Sequence, residues 1–208
     1  MDRPTAVRRT VLVAILAAGE SRRMGRPKLC LPWGRTTILG HNLAQWREAG
    51  AEKLLVVHGP GETPVTLELD RLGVPSAQRA ATLAPERGMM GSVVTAARRA
   101  LRDALLTHLV IALGDQPQLR AETLREILRA CENAPGKIVR VVFQGKPGHP
   151  LALPANALAE LSVTSSETLR DFLRLKEIPA CDLTTRDSGV LLDVDTPADY
   201  THTSPAAD

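Results

Sequence analysis

A loop rich in small and basic residues follows the first apolar run of the chain and has the composition of a phosphate-binding loop. Its sequence is Leu16-Ala-Ala-Gly-Glu-Ser-Arg-Arg-Met-Gly-Arg-Pro-Lys28. The small residues let backbone N–H groups approach an anion closely, while Arg23 and Lys28 offset the charge of phosphate groups. The loop lacks the Gly-Lys-Ser/Thr ending of a Walker loop and the G-x-G-x-x-G spacing of a dinucleotide-binding motif. The competing interpretation is a basic surface turn.

A carboxylate comes directly after the strongly apolar run of residues 108–113, in the segment Gly114-Asp115-Gln116-Pro117. Ligands of open α/β sheets bind beyond the carboxyl ends of the strands, so an aspartate at this point lies where Mg²⁺ and a triphosphate can meet. Asp115 is therefore a candidate magnesium ligand. The alternative is a turn in which its side chain accepts hydrogen bonds from local N–H groups.

Two further carboxylates, Asp193 and Asp195, are two residues apart on a segment expected to be extended, so their side chains point the same way. Together with Asp115 they can complete a site for a hard cation. The next residues, Thr196-Pro197-Ala198-Asp199, have the spacing of a helix N-cap with a capping box. Asp199 is accordingly assigned to the cap, and the choice between Asp193 and Asp195 as metal ligand stays open.

Two glycine-containing segments are weaker candidates. Gln144-Gly-Lys-Pro-Gly-His149-Pro150 is predicted to be a loop at a binding mouth, where His149 contacts a substrate phosphate or a polar ring, unless it is an ordinary exposed histidine. Gly88-Met-Met-Gly91-Ser92 opens a predicted helix. Its free N–H groups and serine hydroxyl can bind an anion or a base edge. The alternative there is a plain N-cap at Gly91 or Ser92.

Short β-branched apolar runs alternate with amphipathic helical stretches along the whole chain. Strands are predicted at residues 11–18, 53–58, 79–83, 108–113, 138–143, 180–183 and 190–193, and helices at 37–49, 63–72, 92–104, 121–133, 155–161 and 167–176. This order predicts a single Rossmann-like α/β domain of three layers, with a mostly parallel sheet and helices on both faces. Chemistry is then expected in the loops after Ala18, His58, Leu113 and Phe143.

The amino-acid composition indicates how many domains the chain forms and which classes of partner it can bind. The 208 residues are 44% hydrophobic and 24% charged, which is typical of one globular domain. We assign residues 1–9 to an N-terminal extension, 10–200 to the domain and 201–208 to a tail. The net charge of +3 and an aromatic content of only 2% disfavour nucleic-acid binding. Seven basic and two acidic residues among the first 30 suit a small polyanion such as a nucleotide.

Neither a membrane span nor a zinc site is expected. The apolar run at residues 11–18 is far shorter than the roughly 20 residues that a span needs. Cys30, Cys131 and Cys181 are scattered, without the spacing of zinc ligands, and favour a reducing cytoplasm.

Taken in order, the motifs resemble one enzyme family. Leu-Ala-Ala-Gly-x-Ser-x-Arg-Met-Gly-x-x-Lys-Leu, Gly-Met-x-Gly-Ser, Gly-Asp-Gln-Pro, Gly-His-Pro and Asp-x-Asp-Thr-Pro follow one another as in molybdenum cofactor nucleotidyltransferases. The nearest match is the cytidylyltransferase branch, within the nucleotide-diphospho-sugar transferase fold. The resemblance runs from Val11 to Tyr200 and is most specific in Gly-Asp-Gln-Pro and Gly-His-Pro.

The resemblance implies transfer of a nucleoside monophosphate from a nucleoside triphosphate to the terminal phosphate of molybdenum cofactor, with release of pyrophosphate. It assigns triphosphate binding to the first loop, Mg²⁺ to Asp115 with Asp193 or Asp195, and the acceptor side to the Gly-His-Pro segment. CTP is predicted over GTP, because the Ala-Ala-Gly form of the first loop is that of the cytidylyl branch, and its methyl groups narrow the space beside the base.

The candidate residues fall into four groups. They are the catalytic residues Arg23, Lys28 and Asp115, the nucleotide-binding residues Leu16, Ala17, Ala18, Gly19, Arg23, Lys28, Gly59, Gly91 and Ser92, the acceptor-binding residues Gln116, Gly148 and His149, and the metal ligands Asp115, Asp193 and Asp195. The alternatives are guanylyl or other nucleotidyl transfer to a different phosphorylated acceptor, and a non-catalytic protein that delivers the cofactor to a molybdoenzyme. A molybdoenzyme or its chaperone is thus an expected partner.

Overall fold

The computed structural model describes residues 10–205, and this part of the chain contains nine strands and seven helices. The strands are β1 (Thr10–Ala17), β2 (Pro32–Trp33), β3 (Thr36–Thr37), β4 (Lys53–His58), β5 (Arg79–Ala81), β6 (Leu106–Leu113), β7 (Ile138–Phe143), β8 (Lys146–Pro154) and β9 (Ala180–Thr184). The helices are α1 (Ile38–Glu48), α2 (Pro64–Arg71), α3 (Met89–Ala100), α4 (Ala121–Asn133), α5 (Leu158–Leu161), α6 (Leu169–Lys176) and α7 (Pro197–Thr203).

Seven strands form one sheet in the order β5-β4-β1-β6-β8-β7-β9, and β2 with β3 forms a small separate hairpin. Only β8 runs antiparallel to its neighbours, whereas every other pair in the large sheet is parallel. The central strand β1 pairs Ile15 with Val56 of β4 on one side and with Ala112 of β6 on the other. The carboxyl ends of β1, β4, β6 and β7 therefore meet at one edge of the sheet, which is called the carboxyl edge below.

Helices cover both faces of the sheet. Successive side chains of β1 alternate between the faces, as the strand period of two requires. Val13 and Ile15 pack in the core beneath α1, α2 and α4, and Ala14 belongs to the core beneath α3, α5 and α6. The predicted three-layer α/β domain with a mostly parallel sheet is confirmed.

Threonine side chains cap the starts of four helices, α1, α2, α6 and α7. The Thr37 hydroxyl accepts from Gly40 N at 3.1 Å before α1, and Thr63 forms a capping box with Thr66 before α2. The predicted capping box of Thr196 and Asp199 is present before α7. That helix continues to Thr203, across the domain boundary predicted at residue 200. The predicted extension at residues 1–9 lies outside the described residues, as do residues 206–208.

The predicted loop at residues 144–150 is instead a hairpin leading into β8. Gln144 and Gly145 have φ values of 49° and 77°, as a two-residue turn of the type favoured between antiparallel strands requires, and Phe143 pairs with Lys146 across it. Proline disfavours central strands because it lacks an N–H donor. Here the prolines at 147 and 150 precede the part of β8 that pairs with β6, so they interrupt no ladder on that side.

Two other predicted elements differ in extent or type. Residues 190–193 form no strand, because a short 3₁₀ turn occupies Ser188–Leu191 and the Asp187 side chain caps it by accepting from Gly189 N at 2.9 Å. Helix α3 begins at Met89, three residues before the predicted start. Gly88 is its N-cap with φ 55°, which replaces the predicted cap at Gly91 or Ser92. Within residues 10–205 no helix has the length and apolar character needed to cross a membrane.

The start of α3 yields a stability prediction. Gly91 is buried, and a Cβ atom there would overlap the carbonyl oxygen of Ala84. We expect Gly91→Ala to lower the free energy of unfolding by about 1–3 kcal/mol, the usual cost of overpacking. At Gly59 the nearest atom to a new Cβ is the methyl of Thr63 at 3.9 Å, so Gly59→Ala is the matched control and should unfold like the wild type. Urea denaturation measures both, and equal midpoints for the two variants would contradict the packing argument.

Candidate active site

The loop after β1 folds back on itself and buries its lysine. Ser21 and Gly25 adopt positive φ values of 53° and 72° on either side of a 3₁₀ turn, Arg22–Met24. Lys28 N donates to Ser21 Oγ at 3.1 Å, which closes the loop. The Lys28 side chain is consequently only 11% exposed, so it is not the solvated residue of a basic surface turn.

The ammonium group of Lys28 lies between two carboxylates. Its Nζ atom donates to Asp115 Oδ2 and to Asp195 Oδ1, the second at 2.7 Å. Burial alone would lower the pKa of Lys28, but the two carboxylates outweigh this effect and the pKa is raised. Lys28 is therefore a fixed positive charge at the carboxyl edge.

Arg23 approaches the same cluster from the solvent side. Its Nη2 atom donates to Asp195 Oδ2 at 2.6 Å, while 69% of its side chain remains exposed. Asp195 thus accepts from Lys28 with one carboxylate oxygen and from Arg23 with the other. The two cations predicted to bind phosphate share a single anion.

Hydrogen bonds of the main chain hold Asp115 in place. Gly114 N donates to Leu16 O at 3.0 Å, and Val194 N donates to Asp115 O at 2.8 Å. The buried amide of Asn42 donates to Gly114 O at 2.7 Å. A Cβ atom at Gly114 would lie 2.7 Å from Leu16 O, so this close approach requires glycine. Together these contacts join the ends of β1 and β6 to the segment that carries Asp193 and Asp195.

Asn42 was not among the residues predicted from the sequence. Its signal is a polar amide on the otherwise apolar stripe of α1, between the buried residues Leu39 and Trp46. A buried amide usually has a hydrogen-bond partner, so its presence on that stripe indicates a partner on the sheet. Ser21 was also missed, since nothing in the sequence marks its hydroxyl as the acceptor that closes the loop.

Asp193 has surroundings unlike those of Asp195. Its Oδ1 atom accepts from the Gln116 amide at 2.9 Å. Asp193 as a whole residue is exposed, yet its carboxyl group is partly desolvated, and this desolvation together with the charge of Asp115 raises its pKa. Gln116 itself is buried. The crowding of two carboxylates favours a cation between them.

The Gly-His-Pro segment lies on β8 beside this group. A Cβ atom at Gly148 would overlap the carbonyl oxygen of Val190, so the strand packs closely against the turn before Asp193. His149 is half-buried, and its Nδ1 atom is buried without a hydrogen-bond partner. Burial lowers the pKa of His149, which makes the imidazole neutral at pH 7. The alternative of an ordinary exposed histidine is therefore wrong.

The remaining nucleotide-binding candidates lie at the ends of β1 and β4 and at the start of α3. Ala17, the last residue of β1, pairs with His58, the last residue of β4, so Gly59 follows the end of the strand next to β1. Gly91 and Ser92 are buried in the first turn of α3, and Gly91 N donates to Gly88 O at 3.2 Å. The N–H group of Gly91 is therefore already satisfied within the helix terminus.

No three His, Cys, Asp or Glu side chains within residues 10–205 converge into a ready-made metal site. Lys28 joins Asp115 and Asp195 through ion pairs. A metal at this edge must therefore complete its coordination with substrate oxygens or water, as Mg²⁺ in nucleotide sites generally does.

The structure is thus an α/β domain with a mostly parallel sheet, a closed basic loop after β1 and a carboxylate after β6, and sheets of this class generally bind their ligands at the carboxyl edge. The family model of the MobA-like NTP transferase domain matches residues 13–181, and the chain belongs to this family of nucleotidyltransferases. The resemblance recognised in the motifs is confirmed at this level.

Sequence relatives and solved structures agree with the family. The bifunctional protein GlmU of Xanthobacter autotrophicus is 38% identical over 138 residues, which make up 65% of this chain but only 30% of that protein. A probable molybdenum cofactor guanylyltransferase of Opitutus terrae is 31% identical over 148 residues, 70% of this chain and 67% of that protein.

The crystal structure of Rv0371c from Mycobacterium tuberculosis superposes with a TM-score of 0.74 at 26% identity, covering 95% of this chain and 98% of that one. The same protein in complex with manganese gives a TM-score of 0.72 at 27% identity, with coverage of 95% and 99%.

Removal of the Asn42 amide tests how Asp115 is held. Asn42→Ala leaves the buried Gly114 carbonyl without its donor, and we expect a loss of about 1–3 kcal/mol in the free energy of unfolding. Gln45→Ala is the comparison on the same helix, because the Gln45 amide also donates to a backbone carbonyl, that of Leu119, but is less buried. Thermal and urea unfolding measure both variants, and a smaller loss for Asn42→Ala than for Gln45→Ala would contradict this role.

Proposed function

We propose that the protein transfers a nucleoside monophosphate from a nucleoside triphosphate to a phosphorylated acceptor and releases pyrophosphate. One observation carries the proposal. The cations Lys28 and Arg23 and the carboxylates Asp115 and Asp193 converge at the carboxyl edge, where an α/β sheet binds ligands. The name of the Opitutus relative favours molybdenum cofactor as the acceptor.

The reaction requires no nucleophile from the protein. An oxygen of the ionised acceptor phosphate attacks the α-phosphorus of the triphosphate, a new P–O bond forms, and the bond to the bridging oxygen of the β-phosphate breaks. The electron pair of that bond leaves with pyrophosphate. Lys28 and Arg23 stabilise the charge that develops there, and the fixed site brings two polyanions together. A reaction that needs charge stabilisation and positioning, but no protein nucleophile, agrees with a site made of cations and carboxylates.

We propose that a divalent cation is held by Asp115 together with Asp193 or Asp195. Carboxylates are oxygen donors, which Mg²⁺ prefers, and the raised pKa of Asp193 reflects partial desolvation and the negative charge of Asp115. When bound, the ion would neutralise phosphate oxygens of the substrate. We propose Mg²⁺ as this ion. The manganese complex of the mycobacterial structure supports a divalent cation in the family.

The acceptor is proposed to bind against Gln116, Gly148 and His149. Because burial keeps His149 neutral, it would act on the acceptor as a hydrogen-bonding group and not as a cation paired with phosphate. This separates a charged half of the site, which receives the triphosphate, from an uncharged half that receives the rest of the acceptor.

Pyrophosphate release is the direct test of the proposed function. Purified protein is incubated with Mg²⁺, each of the four nucleoside triphosphates and purified molybdenum cofactor, and pyrophosphate is measured with and without the acceptor. We expect release that depends on both substrates. Release of inorganic phosphate instead, or equal pyrophosphate release without the acceptor, would show that the protein does not transfer a nucleotide to this acceptor.

Asp115→Asn keeps the shape of the side chain and removes its charge. We expect turnover to fall by about 10²-fold or more, since metal neutralisation of phosphate charge contributes several kcal/mol. Asp182→Asn, which removes a surface carboxylate paired with Arg140, is the matched control and should retain activity. Circular dichroism checks that both variants fold. Undiminished turnover of Asp115→Asn at saturating Mg²⁺ would assign Asp115 to a turn only.

Two nucleotides are candidates for the donor. The methyl group of Ala18 favours CTP, because a pyrimidine fits a narrowed loop better than a purine, whereas the Opitutus relative bears the name of a guanylyltransferase. We expect CTP to outcompete GTP in a mixed-substrate assay and Ala18→Gly to relax the preference without abolishing activity. Preference for GTP by the wild type would overturn this choice and leave nucleotidyl transfer intact.

A further inference from the structure

We infer that the protein has a second ligand site, at the edge of the sheet opposite the candidate active site, and that this site binds a small organic anion with an apolar body. The site is a cavity of about 320 Å³, at the lower end of the size range of pockets for small ligands. It is called the amino-edge cavity, and its lining includes Leu12, Lys53, Leu55, Gln78, Arg99 and Arg102. The inference does not depend on the proposed function.

The amino-edge cavity follows from the lengths of two neighbouring strands. Leu12 and Lys53 pair near the starts of the parallel strands β1 and β4, whereas the candidate active site lies beyond their ends. Strand β5 pairs only with residues 56–58 of β4, so residues 53–55 have no strand beside them on that side. The 3₁₀ turn Ser76–Gln78 and the end of α3 border this gap. The cavity is therefore a product of the backbone.

Part of the lining is apolar. Leu55 and Ala100 are almost fully buried and belong to the core beneath α3, and Leu12 packs against the same core. Removal of apolar surface from water stabilises a complex by about 25 cal/mol for each Å². The apolar lining thus favours a ligand with a hydrocarbon body over a simple inorganic ion.

Two guanidinium groups at the cavity lack carboxylate partners. Within residues 10–205 neither Arg99 nor Arg102 forms an ion pair. Arg99 donates from Nη2 to Ala77 O at 2.7 Å, which uses one of its five N–H groups. Guanidinium groups bind carboxylate and phosphate oxygens through charge-assisted, often bidentate hydrogen bonds. The free donors therefore indicate an anionic head group on the ligand.

The other polar residues of the lining leave this positive charge uncompensated. With Glu52 and Asp103 included, the lining has three cations and two carboxylates. The Asp103 carboxylate already accepts from Lys53 and from the Thr10 hydroxyl, at 2.6 and 2.7 Å. Gln78 Oε1 is buried and has no hydrogen-bond partner among the residues that the structure describes, although buried acceptors usually have one. A ligand that carries an O–H or N–H donor besides its anionic head complements this lining.

Four small molecules probe the site by titration of the full chain, followed by its amide NMR signals. The first, 4-hydroxyphenylacetate, has a carboxylate, an apolar ring and a hydroxyl donor. Phenyl phosphate changes the head group, 4-hydroxyphenylacetamide is the uncharged match, and acetate lacks the ring. We expect 4-hydroxyphenylacetate or phenyl phosphate to shift signals of cavity residues, the tighter of the two identifying the head group. Loss of the charge or of the ring should weaken binding about tenfold or more.

Substitutions locate the binding of the probe. Arg102→Gln removes a guanidinium group whose side chain has no hydrogen bond in the described part of the chain, so the fold should be unaffected and probe binding should weaken about tenfold. Arg125→Gln is the matched control, because Arg125 is an exposed arginine of α4 that likewise forms no ion pair within residues 10–205. Lys28→Ala, in the candidate active site, should leave probe binding unchanged.

Several results would overturn the inference. They are equal effects of Arg102→Gln and Arg125→Gln, loss of probe binding in Lys28→Ala, equal affinity for the carboxylate and its uncharged amide, and the absence of signal changes at cavity residues with either anion. The double variant Arg99→Gln/Arg102→Gln should abolish binding, and its unfolding temperature checks that the turn held by Arg99 is intact. None of these measurements requires turnover, so a failure to release pyrophosphate would refute the proposed function alone.

Discussion

The ion pairs of Lys28 with Asp115 and Asp195 connect three distant parts of the chain, and much of the architecture serves to bring these parts together. A buried ammonium group is costly unless carboxylates compensate for its lost hydration. Lys28 comes from the loop after β1, Asp115 from the end of β6 and Asp195 from the segment before α7. Lys28 and Asp115 come close together because β1 and β6 are neighbours in the centre of the sheet.

Asp195 reaches Lys28 because the C-terminal segment folds back over the carboxyl edge. Val194 is buried and donates its N–H group to Asp115 O, so Asp193 and Asp195 flank a residue that is fixed in the core. Farther along, the Tyr200 hydroxyl donates to Pro32 O at 2.6 Å and connects α7 to the hairpin that follows the loop after β1. The capping box of α7 thus has a role beyond helix stability, since it sets the position of Asp195.

Most helices and strands could be predicted from the sequence because their limits depend on residues close to one another in the chain. The limits of β4, β7 and α4 follow from apolar periodicity, and the start of α2 follows from the Thr63 cap and the proline after it. Strand β8 was missed because its prolines and glycine oppose a strand locally, and only pairing with β7 and β6 overrides them.

The difference between local patterns and long-range packing also explains which features of the site could be predicted. The sequence indicated which residues lie at the carboxyl edge, because strand order alone brings strand ends together. It did not indicate that Lys28 pairs with a carboxylate 167 positions away, or that His149 is half-buried and neutral, since both depend on packing between segments remote in sequence. Asn42 lies between these cases, because its polarity on an apolar stripe is visible but its partner Gly114 is not.

The contrast between Asp193 and Asp195 shows how two adjacent carboxylates acquire different chemistry. Extended backbone turns both side chains to the same side of the segment, so orientation alone does not separate them. Their neighbours do: Asp195 faces the basic loop after β1, whereas Asp193 faces Gln116 and the neutral His149 on β8. The two carboxylates on either side of Val194 therefore differ in whether their partner is a cation or a neutral amide. Asp115 is linked to both, since it contacts Lys28, the partner of Asp195, and raises the pKa of Asp193.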